Sequence, residues 1–465
     1  MPTTWGGRSY INQMRLDISG LDPQAFADAW QAAVDRHDSL RTGFLWQGEM
    51  AQPLQAVYKQ IRVPFSLLDW QQRADLPDAL DALAAEQLQQ DLPLDKAPLF
   101  NLVLVCTAPG QHHLIHTSHH ILMDGWSTSQ LLGEVLQRYS GQAVAASPGR
   151  YRDYIGWLGR QDAVLDHAYW HTQLADLEEP TRLAHSVVNS TQTQGHGARY
   201  LSLDAQRTQR LNDFARQQKV TLNTLVQAAW LVVLQQYSGQ RCVCFGATVA
   251  GRPADIAGVE QQIGLFINTL PVIASPRPDT SVANWLQQVQ EKNLGLREHE
   301  HTPLSEIQRW SGQRGEALFD NILVFENYPV AEALEQEAPA GLTFGTVDYH
   351  EQTNYPLTLA ISAGTTLLIH ASYSRQHFSD AGVQSIGEHL LNLVERMSDN
   401  PHLHLGELDM LDTAQRQQVT EAWNATATPY PLDRCVHQLI EAQVEQTPNA
   451  PALVFGEQHL SYAEL

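Results

Sequence analysis

Between residues 102 and 139 the hydrophobic pattern changes period, and that change constrains the local architecture. Leu102 to Cys106 is an unbroken apolar run, Pro109-Gly110 marks a turn, and His113 to Thr117 alternates. Two strands joined by a turn are expected. From Trp126 to Tyr139 the apolar residues recur at helical spacing, with Ser127 and Thr128 available as caps. The stretch between them, His119-His120-Ile121-Leu122-Met123-Asp124-Gly125, is therefore a loop joining a strand to a helix. Loops held by rigid elements on both sides often carry reactive groups.

The same mixture of periods runs along the chain. Tyr10 to Ile18 reads as a strand, and a helix opens at Asp22-Pro23 and runs through Val34. Leu76 to Gln90 is an amphipathic helix, and Tyr151 to Leu165 is expected as one further helix. In the second half, Arg199 to Leu203 is a strand, and Asp204 to Gln218 and Thr221 to Tyr237 are helices. Arg241 to Val249 and Gly264 to Val272 are β-rich, and Val282 to His299 is helical. Ile322 to Phe325, Leu342 to Val347, Leu357 to Ile361 and Leu367 to Tyr373 read as strands before a closing helix, Ser379 to Met397. Asp412 to Leu432 is polar, stiffened by Pro429 and Pro431, and reads as a linker. Val436 to Val444 is a short helix, and Ala452 to Phe455 pairs with His459 to Tyr462 around Gly456-Glu457. Two strands alone are barely stable, so that hairpin is expected to be the front edge of a further domain.

Composition narrows the partners. The 465 residues carry 51 Asp+Glu against 29 Lys+Arg, a net charge of −22, which disfavours nucleic acid and anionic membranes. No apolar run approaches the roughly 20 residues of a membrane span, and Met1 to Gly6 lacks the basic and apolar regions of a signal peptide. Four scattered cysteines, Cys106, Cys242, Cys244 and Cys435, fit a reducing cytoplasm better than a disulfide framework. His112, His113, His116, His119 and His120 raise the question of a metal. His113 and His116 fall on opposite faces of a strand, and no thiolate set or HExxH helix accompanies them, so no metal is expected.

A histidine pair alone is more often a hydrogen-bonded core feature than a catalytic one. Asp124 and Gly125 shift that balance. In a tight loop a carboxylate four residues after His120 cannot easily reach the same imidazole, but it can turn back onto an arginine and fix the loop. Gly125 either turns the chain with positive φ or admits a substrate. One imidazole would then face a cavity, as a general base must.

This stretch resembles HHxxxDG, the signature of the condensation domains of nonribosomal peptide synthetases, relatives of chloramphenicol acetyltransferase. Further similarities follow in the family's order. Arg36-His37-Asp38-Ser39-Leu40-Arg41-Thr42-Gly43-Phe44 resembles RHxxLRTxF, and Tyr151-Arg152-Asp153-Tyr154-Ile155-Gly156-Trp157 resembles YxDYxxW. Ile263 to Leu270 is similar to IGxFxNTxP, His301-Thr302-Pro303-Leu304 to HxxPL, and Phe319-Asp320-Asn321 with Phe325 to Pro329 to another family segment. Leu460 to Leu465 resembles the first motif of an adenylation domain. Met1 to Ser9 has no match to the motif with which family members usually begin.

The resemblance implies an α/β (α+β) fold of two chloramphenicol acetyltransferase-like lobes in a V, with an active-site tunnel between them. The lobes would be residues 1–161 and 162–411, followed by a linker, 412–435, and a truncated start of an adenylation domain, 436–465. Donor and acceptor peptidyl carrier proteins would bring phosphopantetheine arms, and no cofactor would be bound intrinsically. The catalytic set implied is His120, Asp124, His119 and Gly125. His120 acts on the acceptor amine, His119 and Asp124 support the loop, and an N–H near Gly125 serves the oxyanion. Asp124's arginine is expected to be Arg41 or Arg36, with Arg252 as runner-up. Trp126, Ser127, Asn268 and Tyr355 would line the tunnel. The aspartate of heterocyclisation domains is absent, and IGLFINTLP and FENYP stand where epimerisation domains carry other motifs. YINQ and HHILMDGWS look closer to condensation domains that follow epimerisation domains, which implies a D-configured donor. The expected protein is a monomeric, cytoplasmic unit of a larger synthetase, beside an adenylation domain. The alternatives are a non-catalytic carrier-binding module and a coenzyme-A-dependent acyltransferase.

Overall fold

The computed structural model describes residues 10–46, 53–145, 149–187, 193–313, 316–326, 334, 338–429 and 432–465. Met1 to Ser9, Asn327 to Pro329 and Pro431, named above, lie outside them. The chain forms two compact units, Met1–Met410 and Leu411–Leu465.

The larger unit is built on two mixed sheets. The first has the order Thr343–Phe344, Ile11–Ser19, Gln111–His119, Phe100–Ala108, Phe65–Asp69, and Asp348–His350 also pairs with Ile11–Ser19. Its central hairpin, Phe100–Ala108 with Gln111–His119, turns at Pro109-Gly110, where Gly110 takes φ +71°. The second sheet runs His196–Leu203, Leu367–Ser374, Leu357–Ala363, Asn321–Glu326, Val243–Val249, Asn268–Ala274. The strands Thr343–Phe344 and Asp348–His350 come late in the chain yet complete the first sheet, so the sheets are not divided at residue 161.

Local chemistry explains most helix limits. Asp22 caps Pro23–Arg36 by accepting from the Gln24 and Ala25 N–H groups. Thr221 caps Leu222–Ser238, and Gly239 ends it in the left-handed region. That helix is apolar almost all round and is accordingly buried from Thr224 to Leu234. Four expectations need correction. Residues 151–165 form parts of two helices, Tyr151–Leu158 and Ala163–Leu174, because Gly159 ends the first and Asp162 caps the second. The β-rich run at 264–272 becomes a strand only from Asn268. Of the expected strand 342–347 only Thr343–Phe344 is a strand, and a second short strand, Asp348–His350, follows it. The expected linker contains a helical turn, Thr413–Gln417, capped by Asp412.

The second sheet is packed tightly enough to forbid even a methyl group at one point. A Cβ at Gly246 would lie 2.4 Å from the Phe319 ring and 2.8 Å from Ile322. Gly246→Ala should therefore destabilise the unit by about 1–3 kcal/mol through overpacking, read as a lower urea midpoint with an unchanged slope.

Candidate active site

The loop after the strand Gln111–His119 is held from the side chain of one residue. Asp124 is 1% exposed and is the N-cap of the helix Gly125–Tyr139. One carboxylate oxygen accepts from Ser127 N at 2.8 Å and from Arg252 Nη2 at 3.2 Å, and the other accepts from Phe266 N at 3.0 Å. Asp124 N donates in turn to the Gly264 carbonyl. The carboxylate thus joins the loop to residues 252–266, which lead into the second sheet.

Arg252 completes this knot. Its Nη1 donates to the Val259 and Gln262 carbonyls, its Nη2 also reaches Ser127 Oγ at 2.8 Å, and its guanidinium lies 4.0 Å above the Phe266 ring. Burial pulls its pKa below the ordinary value, against the opposing pull of Asp124. Gly251 makes the approach possible. It has φ +60°, and a Cβ there would sit 1.9 Å from the Phe266 carbonyl oxygen. On the other side, Tyr151 Oη donates to the Leu265 carbonyl, and a Cβ on Gly264 would strike the Tyr151 ring.

With the loop fixed, His120 has little choice of orientation. Its Nδ1 lies 2.9 Å from the Met123 carbonyl. A carbonyl only accepts, so Nδ1 carries the proton and Nε2 is the nitrogen left for chemistry. Nε2 lies 3.3 Å from Glu351 Oε1. Burial pushes the imidazole pKa down, but Glu351, the Met123 carbonyl and Asp124 together outweigh it and leave it raised. His119 differs. Burial, then the charge of His120, lowers it to about 4, and its Nδ1 accepts from Ile121 N. It is a neutral brace for the loop.

His120 lines a cavity of about 650 Å³. The cavity wall includes His119 and Gly125 from the loop, Tyr349 and Glu351 beside the first sheet, and Thr248, Asn268, Ile322 and Glu326 from the second. Glu326 is pushed up to about 7 by burial and then by the Glu351 charge. Among the described residues, no group of three or more His, Cys, Asp or Glu side chains is placed to hold a metal ion, and no helix is long and apolar enough to cross a membrane.

A family model for the condensation domain matches residues 5–420. The chain belongs to the condensation-domain family. One of the linear gramicidin synthase proteins of Brevibacillus parabrevis is 38% identical over 99% of the chain, which covers 6% of that protein. Tyrocidine synthase 2 of the same organism is 33% identical over 98% of the chain, which covers 13% of it. This condensation domain thus spans a small fraction of the length of the curated relatives it matches. Among solved structures, the first condensation domain of the calcium-dependent antibiotic synthetase, in complex with a substrate analogue, superposes with a TM-score of 0.71 at 21% identity, covering 87% of this chain and 95% of that one. A four-domain nonribosomal peptide synthetase bound to AMP and glycine gives a TM-score of 0.79 at 17% identity, covering 99% of this chain and 36% of that one. These two likenesses concern the fold: mixed α/β, as the chloramphenicol acetyltransferase resemblance implied.

In this condensation domain the structure gathers His119, His120, Gly125, Asn268 and Tyr355 around the cavity. It reverses the expected order of arginines. Asp124 pairs with Arg252, the runner-up. Arg41 is spent on Asp38 and the Val34, Tyr58 and Lys59 carbonyls, and Arg36 lies beside Glu134 and the Ala145 carbonyl. Trp126 and Ser127 are not among the residues lining the cavity. The Trp126 indole donates to the Glu260 carbonyl, and Ser127 is fully buried between Arg252 and Gly264. The helix cap is Asp124, not Ser127 or Thr128. Gly125 opens the helix without positive φ, so of its two expected uses only the close approach survives. Glu351 was not among the residues the sequence singled out, its only signal being a polar run, Glu351 to Asn354, set between apolar segments, and Glu326 entered only inside the FENYP segment, with no role given.

Breaking the pair by removing one partner leaves a buried charge uncompensated. Arg252→Ala should lower stability by about 3–5 kcal/mol, while Asp124→Asn, whose amide oxygen can still accept from Ser127 N and Arg252 although the guanidinium loses its counter-charge, should cost less. Denaturant unfolding of both variants checks the order.

Proposed function

We propose that this condensation domain forms a peptide bond between two carrier-borne substrates. The acceptor's α-amine attacks the donor's acyl thioester at His120, and both substrates arrive on phosphopantetheine arms of carrier proteins. The observation that supports this most is a single ring nitrogen, His120 Nε2, with its other nitrogen tied to Met123, on a cavity walled by both sheets. Such a site orients an amine and accepts or returns its proton. In water an α-amino group titrates at roughly 7.7–8.0, so the base is needed mainly as the C–N bond forms and the nitrogen becomes acidic. The Gly125 N–H, in the first turn of its helix, is a suitable donor for the oxyanion.

In this reading His119 and Asp124 act as supports, with Arg252 in the place first given to Arg41. Asn268 and Tyr355 shape the channel. That the chain covers only 6% of a gramicidin synthase protein and 13% of tyrocidine synthase 2 supports a place in a larger synthetase, and a position beside an adenylation domain and in the cytoplasm belongs to the same proposal. The proposed divisions are two lobes in a V around a tunnel, 1–161 joined by the returning strands Thr343–Phe344 and Asp348–His350, and the rest of 162–411, then a linker at 412–435 and the beginning of an adenylation domain at 436–465.

Single turnover with loaded donor and acceptor carriers, followed by mass spectrometry of the acceptor carrier, tests the reaction. Wild-type protein should yield the amide, and His120→Ala should slow it by about 10²–10⁴-fold. Carrier binding without product would leave a docking module, and transfer from acyl-coenzyme A without carriers would leave a free acyltransferase. The raised pKa of His120 sets the pH dependence. The imidazolium persists above the ordinary value of 6.5 and cannot accept a proton, so kcat/KM should fall as pH drops through a pKa above 6.5.

A further inference from the structure

The partner of His120 Nε2 is a carboxylate from a distant part of the chain. Glu351 follows the short strand Asp348–His350, which pairs with Ile11–Ser19. That pairing delivers Glu351 to the loop end of the first sheet, 3.3 Å from His120. Its side chain keeps about a third of its exposure, 34%, and lines the cavity. Any amine that reaches Nε2 therefore also meets Oε1.

Charge accounting shows why this matters. Nδ1–H is committed to Met123, so Nε2 and the Glu351 oxygen share one proton or repel each other. The groups facing Glu351 are His120 on the loop, His350 beside it, His370 on the strand Leu367–Ser374, and Glu326 at the end of Asn321–Glu326. Asp124 and His119 act on His120 from behind. Burial pushes the Glu351 carboxyl up, but His120, His370 and His350 outweigh it and keep it below its ordinary value. Glu326 is driven toward neutrality, so Glu351 is the carboxylate that carries the charge.

We propose that Glu351 is a second catalytic residue: its carboxylate receives the acceptor's α-ammonium group beside His120 and takes one of the two protons the nitrogen must lose. This rests on the amide-forming reading above. The ammonium gives its first proton to His120 Nε2, and the imidazolium so formed is held by Glu351. The neutral amine attacks the thioester carbonyl, forming the C–N bond. The nitrogen of the tetrahedral adduct, now far more acidic, passes its second proton to the Glu351 carboxylate. The C–S bond breaks, and the His120 imidazolium protonates the leaving sulfur. Glu351 then loses its proton to water. The sum is ammonium plus thioester giving amide, thiol and one released proton.

Binding to the unmodified chain tests this without turnover. At pH 7 an amide-linked aminoacyl-pantetheine should bind roughly 10–100-fold tighter than its desamino counterpart, the span of a charged hydrogen bond. Glu351→Gln should abolish that preference, and Glu351→Asp should restore part of it. In single turnover, Glu351→Gln should lose rate most where the acceptor is an ammonium ion, and recover in part above about pH 8 as the free amine appears. Equal affinity of the two analogues for the wild-type chain overturns the proposal, as does a Glu351→Gln loss that is uniform across pH. Absence of wild-type product would instead count against the amide-forming reading, leaving the analogue preference to judge Glu351.

Discussion

One buried ion pair, Asp124 with Arg252, carries the geometry of the site. Taking a carboxylate and a guanidinium out of water costs several kcal/mol per ion in the absence of compensation. Here most contacts that compensate them also fix backbone, through Ser127 N, Phe266 N, and the Val259 and Gln262 carbonyls, with the Ser127 hydroxyl and the Phe266 ring adding to them. The pair therefore does more for position than for stability. It ties the start of the helix Gly125–Tyr139 to the segment that enters the second sheet, and the cavity opens beside that tie.

The flanking motifs work as supports around the same knot. Tyr151 and Tyr154 pack on Phe266, and Tyr151 bonds the Leu265 carbonyl. Behind them Asp166 accepts from His299 and His301, and His301 meets the Trp157 ring edge-on. On the outer side of the loop helix, His37 and Arg138 both reach Glu134. These residues lie outside the cavity wall, yet each removes a freedom from the loop that presents His120. Rigidity of this kind is what a positioned base requires, since misplacement by about an ångström forfeits much of its effect.

The electrostatics divides adjacent histidines into different tasks. His119 and His120 are consecutive, yet one is held neutral by burial and the other is kept charged longer by a carboxylate. Glu351 and Glu326 are divided in the same way, because two close carboxylates do not both ionise readily in a poorly solvated space. The result is a titratable imidazole and a charged carboxylate facing each other at the cavity, with His119 and Glu326 drawn toward neutrality beside them.

Much of this was legible in the chain. The change of hydrophobic period placed the loop between a strand and a helix, the caps at Asp22 and Thr221 placed helix starts, and the order of motifs pointed to the family and to His120. Such signals are local: they depend on side-chain alternation, turn chemistry and spacing within a few residues. Which arginine meets Asp124 was not local. Arg36 and Arg41 lie in a motif and drew attention, but their own helix end and hairpin consume them, while Arg252 arrives from 128 positions away because Gly251 lets the backbone close in. Glu351 was hidden for the same reason. Nothing near it in sequence announces a partner, and only the return of a late strand to the first sheet brings its carboxylate to the imidazole. The sequence determined most of the elements and singled out His120; the tertiary fold decided the charges around it, because contacts between distant segments are set by packing rather than by period.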